Sequence, residues 1–155
     1  DYGAKAYADH CRGLCTYEVE QIILAIIVTT GIASIFLTKD FTPDYNSGLA
    51  HAIFYALTSY PVIEERHLHG EVVGFGVLLA LLVDQQYEEF GKIYDLNRSI
   101  GLPTSLDEIE ISREQWTECI GRIPDMSDVA HYPYRVTPDM LEDAMNRLIT
   151  KRNSD

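Results

Sequence analysis

The stretch His69-Gly-Glu-Val-Val-Gly-Phe-Gly-Val-Leu-Leu-Ala-Leu-Leu82 decides the fold of this chain. It carries no charged residue after Glu71 and no proline, and it predicts an apolar helix that begins just after His69. Helical periodicity continues along most of the chain, and no segment shows convincing strand alternation. The sequence therefore predicts an all-α fold of about six or seven helices.

Capping and stop signals predict the bounds of these helices. In chain order the predicted helices cover residues 16 to about 37, 46 or 47 to about 60, 70–82, about 87–100, 113–120, and 138 onward. Thr16 is the predicted cap of the first, and Asn46 or Ser47 of the second. Ser112 with Gln115 predicts a capping box, and Thr137 with Pro138 supplies a cap and a first-turn proline. The last helix carries its core residues at Met140, Leu141, Ala144, Met145 and Leu148.

Three stretches are predicted to lack helix. Residues 40–44 read as a turn, and residues 61–68 link the second and third helices. Residues 123–135 hold two prolines, two aspartates and His131, and loops held by rigid helices often carry binding sites. His131 is therefore a candidate for a residue that lines a site.

Length, charge and cysteine content narrow the class of protein. A chain of 155 residues corresponds to a single domain. Its 24 acidic and 12 basic residues give a net charge of −12, which excludes nucleic acid and anionic membranes as favoured partners. The three cysteines cannot all pair, which indicates a reducing compartment and predicts a cytoplasmic protein. Cys11, Cys15 and Cys119 are interpreted as packing residues.

The most apolar part of the chain spans residues 22–37. These sixteen residues fall short of the twenty or so that a bilayer core requires. No basic cluster flanks them, and the acidic start of the chain does not resemble a signal peptide. The sequence therefore predicts a helix buried in protein rather than one in a membrane.

Two histidines offer the clearest candidate for a site. His51 and His69 are eighteen positions apart, and each lies near the start of a predicted helix. The positive potential at a helix N-terminus favours the neutral imidazole that can bind a metal. Gly70 and Gly74 leave one helix face bare for a close approach. Because structural zinc takes four protein ligands and catalytic zinc three, the residues alone leave open whether His10, His67 or His131 completes a site.

Several segments resemble one protein family. These are Gly48-Leu-Ala-His-Ala-Ile53, His69-Gly-Glu-Val-Val-Gly-Phe-Gly76, Ile100-Gly-Leu-Pro103 and the closing Val136-Thr-Pro138. Together they resemble the C-terminal helical domain of glycerol dehydrogenases, in the iron-containing alcohol dehydrogenase superfamily, over roughly residues 16 to 150. The fold implied is the helical domain shared with dehydroquinate synthases.

The resemblance implies a function as well as a fold. It implies that His51 and His69 are metal ligands, for zinc or iron. It further implies an NAD-linked oxidoreductase that acts on a small polyol or alcohol and forms a homo-oligomer. NAD would be bound mainly by an N-terminal domain, and an aspartate would complete the metal site. Both are expected before residue 1, so residues 1–155 are interpreted as a single helical metal-binding domain, the C-terminal fragment of a longer enzyme and inactive alone.

Two alternatives stay open at the level of sequence. Relatives often carry a further histidine three or four positions after the first ligand, where this chain has Phe54 and Tyr55. That difference keeps open a non-catalytic helical assembly module. A dehydroquinate-synthase-like enzyme is the second alternative, although its Gly-His-Thr-x-Gly-His pattern is missing from residues 46–51.

Overall fold

The computed structural model describes residues 2–37 and 47–154, and within these ranges it contains helices and no strands. The α-helices are α1 (Gly3–Cys11), α2 (Tyr17–Leu24), α3 (Thr30–Leu37), α4 (Leu49–Leu57), α5 (Pro61–Arg66), α6 (His69–Val83), α7 (Tyr87–Ile100), α8 (Arg113–Ile120) and α9 (Pro138–Asn153). Short 3₁₀ turns cover Asp107–Ile109, Ile123–Asp125 and Ser127–Val129. The all-α prediction is confirmed.

The chain forms two compact units, residues 1–46 and 47–155. In the first unit, polar contacts join α1 to the start of α2. The Lys5 amine lies 2.6 Å from Asp9 and 2.9 Å from Glu18. Thr16 occupies the N-cap position of α2, as predicted, but its hydroxyl donates to the Asp9 carboxylate at 2.8 Å instead of accepting a helix N–H. The charged Lys5 beside it holds the pKa of Asp9 below its ordinary value.

A long apolar helix makes up most of the first unit. A π turn at Ala25–Thr29 joins α2 to α3 without a break. The span Tyr17–Phe36 is 20 residues long with a mean hydropathy of 2.0, so by length and composition alone it could cross a membrane. The sequence predicts that this apolar helix is buried in protein. That prediction is wrong for the described residues, because only 6% of the most apolar 18-residue stretch is buried. The short helix α1 is the other helix described in this unit, and it is too small to cover such a surface.

The two N-terminal cysteines are exposed, so the prediction that they are packing residues is wrong. Helix α1 ends at Cys11, and Gly13 then adopts a left-handed conformation with φ +70°. Cys15 therefore lies beyond the helix and does not share a face with Cys11. Cys119, in contrast, is fully buried in α8, as predicted.

Helix α6 runs through the centre of the second unit, where it packs against α4, α7 and α9. Its bounds agree with the predicted helix to within one residue at each end. Helices α4 and α6 pack closely at Gly76, where an added Cβ would lie 2.6 Å from the carbonyl oxygen of Ala50. The close approach expected at Gly70 and Gly74 is found only at Gly74. An added Cβ meets nothing within 4 Å at Gly70, but at Gly74 it lies 3.8 Å from the Leu102 side chain and 4.0 Å from the side chain of Asn97 in α7. The Asn97 amide donates to the Gly74 carbonyl at 3.5 Å.

Predicted caps hold three helices in place. The N–H of Gln115 donates to the Ser112 hydroxyl at 3.2 Å, and the N–H of Ser112 donates to the Gln115 side chain at 2.8 Å. The Thr137 hydroxyl accepts from the N–H at position 140 at 3.3 Å. Helix α7 has the predicted bounds and ends at Gly101, whose φ of +77° is the left-handed conformation that favours glycine.

The region before α6 differs from the prediction. Residues 61–66 form α5 instead of a loop, because Pro61 sits at a first-turn position, where proline favours a helix and its missing N–H costs nothing. Helix α4 correspondingly ends at Leu57, and Tyr60 is extended before the proline. Gly48 is the observed N-cap of α4. The predicted turn at 40–44 and the cap at Asn46 lie outside the described residues.

Candidate metal centre

The structure brings together the two histidines that the sequence analysis selected. His51 lies in the first turn of α4, and His69 is the first residue of α6. Their ring centroids are 5.6 Å apart, and the ring planes make an angle of 43°. His51 is partly buried, whereas His69 is exposed. Because α4 and α6 meet backbone to backbone at Gly76, the distance between the two histidines is set by rigid elements.

The separation of the rings suits two ligands of one metal ion. A ring centroid lies about 3.2 Å from a zinc ion that its nitrogen binds at about 2.0–2.1 Å. Two imidazoles that meet a tetrahedral ion at about 109° therefore have centroids about 5.2 Å apart. The observed separation is 5.6 Å. This separation is therefore of the size that two imidazole ligands of one divalent metal ion require.

Aromatic side chains form one wall beside the histidines. The Phe54 ring meets the His69 ring edge to face, with centroids 4.4 Å apart and an angle of 77°. The Tyr55 ring lies 6.4 Å from the His51 ring. These are the two positions at which the resemblance would place a further histidine. In this chain Phe54 supplies an apolar ring that restricts the His69 ring, and Tyr55 supplies a phenol side chain and is 46% exposed.

The electrostatic surroundings favour a neutral His51. Burial lowers the pKa of this imidazole, and the nearby His69 lowers it further, while Asp128 acts in the opposite direction. Neutral imidazole is the form that binds a metal. Asp128 lies in the 3₁₀ turn Ser127–Val129, which packs against α4. No local signal in the sequence marks Asp128, because a single aspartate among many acidic residues is not distinguished from the others before the fold is known.

The remaining histidines do not complete a ligand set. His10 lies in α1, in the other unit. The His67 nitrogens face Glu71 at 3.7 Å and Glu110 at 3.6 Å. His131 is exposed after the last 3₁₀ turn, and its predicted role in lining a site stays a prediction. Among the described residues no group of three or more His, Cys, Asp or Glu is arranged to hold a metal.

Two tyrosines tie the loop that carries Asp128 to α4 and α6. Tyr134 donates a hydrogen bond to the Asp84 carboxylate at the end of α6. The Tyr132 ring packs edge to face on Tyr134, with centroids 5.5 Å apart, and lies close to Gly48 at the start of α4. Burial raises the pKa of Tyr132 to about 12. The tyrosine contacts therefore hold this loop against the helix that bears His51.

Comparisons with known proteins agree with the predicted family resemblance. No protein-family model matches the chain. A glycerol dehydrogenase of Thermotoga maritima is 36% identical over 115 residues, which is 70% of this chain and 28% of that protein. Glycerol dehydrogenase 1 of Schizosaccharomyces pombe is 29% identical over 113 residues, covering 71% of this chain and 23% of that protein.

Solved structures give the same result over almost the whole chain. A probable glycerol dehydrogenase from Sinorhizobium meliloti superposes with a TM-score of 0.75 at 27% identity, and covers 97% of this chain and 41% of that one. Glycerol dehydrogenase from S. pombe superposes with a TM-score of 0.75 at 22% identity, covering 99% and 38%. Because the S. pombe structure is only 22% identical to this chain, its similarity supports the fold alone.

The fold and the comparisons define the class: an all-α chain with the architecture of one part of a larger dehydrogenase. The chain is homologous to glycerol dehydrogenases in sequence and in structure. It spans about a quarter of the length of the S. pombe and T. maritima relatives. The predicted resemblance to that family is confirmed.

Proposed function

We propose that this chain is the metal-binding part of an NAD-linked dehydrogenase that oxidises a small polyol or alcohol. The supporting observation is the pair formed by His51 and His69, 5.6 Å apart, in a chain homologous to glycerol dehydrogenases. In the proposal these two imidazoles hold zinc or iron. The third ligand and the NAD site belong to other parts of a longer, cytoplasmic, homo-oligomeric enzyme.

The chain's own residues would prepare the site for that chemistry. When bound, the metal supplies Lewis acidity that lowers the pKa of a substrate hydroxyl, and NAD accepts the hydride. His51 is kept neutral by burial and by the neighbouring His69, so a ligand nitrogen is available near neutral pH. Phe54 restricts the orientation of the His69 ring. The exposed Tyr55 presents a phenolic hydroxyl that can hydrogen-bond to a further hydroxyl of a polyol.

Metal binding by the 155-residue chain tests the proposal directly. Because Cys11 and Cys15 are exposed and thiolates bind zinc, the experiment should use a Cys11→Ser, Cys15→Ser background. Zinc titration by calorimetry, and cobalt absorption spectra, should report one weak site in this protein. We expect His51→Ala or His69→Ala to abolish that site, and His10→Ala in the other unit to leave it intact. Equal zinc binding by the Cys11→Ser, Cys15→Ser protein and its three histidine variants would contradict the proposal.

One observation favours a second candidate, a non-catalytic assembly module. The apolar helix of the first unit is exposed, with Ile27 68% and Phe36 80% accessible, and large exposed apolar surfaces mark interaction sites. The same titration separates the two candidates. A module of this kind would show no zinc or cobalt binding that depends on His51 and His69.

A further inference from the structure

A cavity in the second unit is lined by arginines from three helices. Its volume is about 770 Å³, within the range of small-molecule sites. Arg66 reaches it from α5, Arg98 from α7 and Arg152 from α9. The chain as a whole has a net charge of −12, with only 12 basic residues. Three of those basic residues line this one cavity, where they outnumber the two lining carboxylates, Glu71 and Glu108.

A buried polar atom in the same cavity lacks a partner. His67 lines the cavity, and its side chain is only 10% exposed. Its Nε2 atom makes no hydrogen bond. The Glu110 carboxylate lies 3.6 Å from it, beyond hydrogen-bonding distance. Buried nitrogens are rarely left without a partner in folded proteins, so this atom indicates a place for a bound group.

The acidic residues of the lining are engaged with backbone donors. Glu71 accepts the N–H of Leu68 at 3.0 Å. Glu108 accepts the N–H of Thr104 at 2.7 Å and its hydroxyl at 3.2 Å. Because these hydrogen bonds anchor both carboxylates at the ends of local turns, part of their negative charge is offset there.

The ion pairs of two lining arginines are weak ones. Arg66 contacts Glu110 at 2.5 Å, and Arg152 contacts Asp107 at 3.1 Å. Both pairs are exposed, and exposed pairs contribute little to stability. The Arg98 guanidinium lies 5.9 Å from the Tyr94 ring centroid. Arg66 and Arg152 can therefore turn towards a bound anion at little cost.

We propose that this cavity binds a phosphate group, either free or as the monoester of a small metabolite. Arginine forks from three separate helices approach the cavity from several sides, which suits an anion with oxygens in several directions. A carboxylate has only two oxygens in one plane. The His67 nitrogen adds a donor at the buried side. His69 is not among the residues that line the cavity, so the phosphate site does not depend on the proposed metal.

Titration of the 155-residue chain with inorganic phosphate and with methyl phosphate tests this inference. Calorimetry at fixed pH and constant ionic strength should show saturable binding of at least one of them, and the tighter probe identifies the free or the esterified form. In NMR spectra the ring resonances of His67 should shift along the same curve, while those of His10 should not. Arg98→Gln and Arg152→Gln should each weaken binding roughly tenfold or more.

The matched control is Arg147→Gln. Arg147 lies in α9 with Arg152, has a similar exposed ion pair with Asp143 at 2.7 Å, and does not line the cavity. It should bind phosphate as tightly as the unsubstituted chain. The inference is overturned if no saturable binding occurs in the millimolar range, if Arg147→Gln weakens binding as much as Arg98→Gln, or if acetate binds as tightly as phosphate.

Discussion

Gly76 lies so close to Ala50 that a Cβ atom added to the glycine would fall 2.6 Å from the alanine carbonyl oxygen and 3.0 Å from its Cα. The contact is between two backbones, not between flexible side chains. It fixes the distance between α4 and α6, which carry His51 and His69. The absence of a side chain at Gly76 thus permits the close backbone contact between the two helices from which the imidazoles project.

Gly76→Ala should destabilise the chain even though alanine favours helix more than glycine does. The new methyl group must push α4 away, and such overpacking costs about 1–3 kcal/mol. Urea unfolding followed by circular dichroism would measure the loss. In the Cys11→Ser, Cys15→Ser background described above, zinc affinity should fall with it, because the histidines move apart.

Gly91→Ala is the matched control for that substitution. Gly91 lies inside α7, and an added Cβ there meets nothing within 4 Å. The substitution should be neutral or stabilise the chain by up to about 1 kcal/mol, as expected for helix propensity alone. Equal destabilisation by both substitutions would contradict the importance of the Gly76 contact.

The pH dependence of stability should report the environment of His51. Burial and the nearby His69 hold its pKa below the ordinary 6.5, so near that pH the unfolded chain binds the proton more readily than the folded one. The corresponding stability is therefore present above pH 6.5 and is lost as the pH falls through the lower, folded pKa. The free energy of unfolding of His51→Gln should decline less over that range. An NMR titration that gave His51 a pKa at or above its ordinary value would contradict this expectation.

Loss of the Ser112 cap should weaken α8. In Ser112→Ala the N–H of Gln115 loses its acceptor, which costs about 0.5–2 kcal/mol. Ser99→Ala makes the same chemical change at an exposed position inside α7, where the hydroxyl donates to the backbone of its own helix. That control should change the free energy of unfolding by less than about 0.5 kcal/mol. A similar change in both variants would mean that the cap does not contribute.

Substitutions in the apolar helix should distinguish exposed from buried positions. Ile27 is 68% exposed, so Ile27→Ser should alter the free energy of unfolding by less than about 0.5 kcal/mol. It should also reduce the fluorescence of a hydrophobic dye bound to the chain. Ile53 is fully buried, and Ile53→Ser should cost about 3 kcal/mol or more. A comparable loss from Ile27→Ser would show that the apolar helix is covered in solution.

Local signals in the sequence were enough for much of the fold. The caps at Ser112 and Thr137, and the stop at Gly101, act through hydrogen bonds and backbone conformation within a few residues, so the printed sequence contains them. The histidine pair was also within reach, because each ring lies near the start of a recognisable helix. Family resemblance strengthened that prediction, since the His-Gly-Glu context agreed with the spacing.

The errors share a different physical origin. Burial of the apolar helix depends on what packs against it, which hydropathy does not contain. Proline is a usual stop signal for a helix, but it also favours the first turn of one, so residues 61–66 form α5 and not the predicted loop. The contact at Gly76 and the electrostatic effect of Asp128 on His51 depend on how distant segments meet. Those interactions are tertiary, and no local pattern encodes them.

The π turn at Ala25–Thr29 has a geometrical consequence for the apolar helix. One residue more than an α-helical turn is inserted there, and each residue advances a helix by about 100°. Side chains after the turn are therefore rotated by roughly a quarter of a circle from the positions that an uninterrupted α-helix would give them. A partner with a flat surface could therefore pack against only one half of this helix. A partner that packs against both halves must wrap around the helix axis.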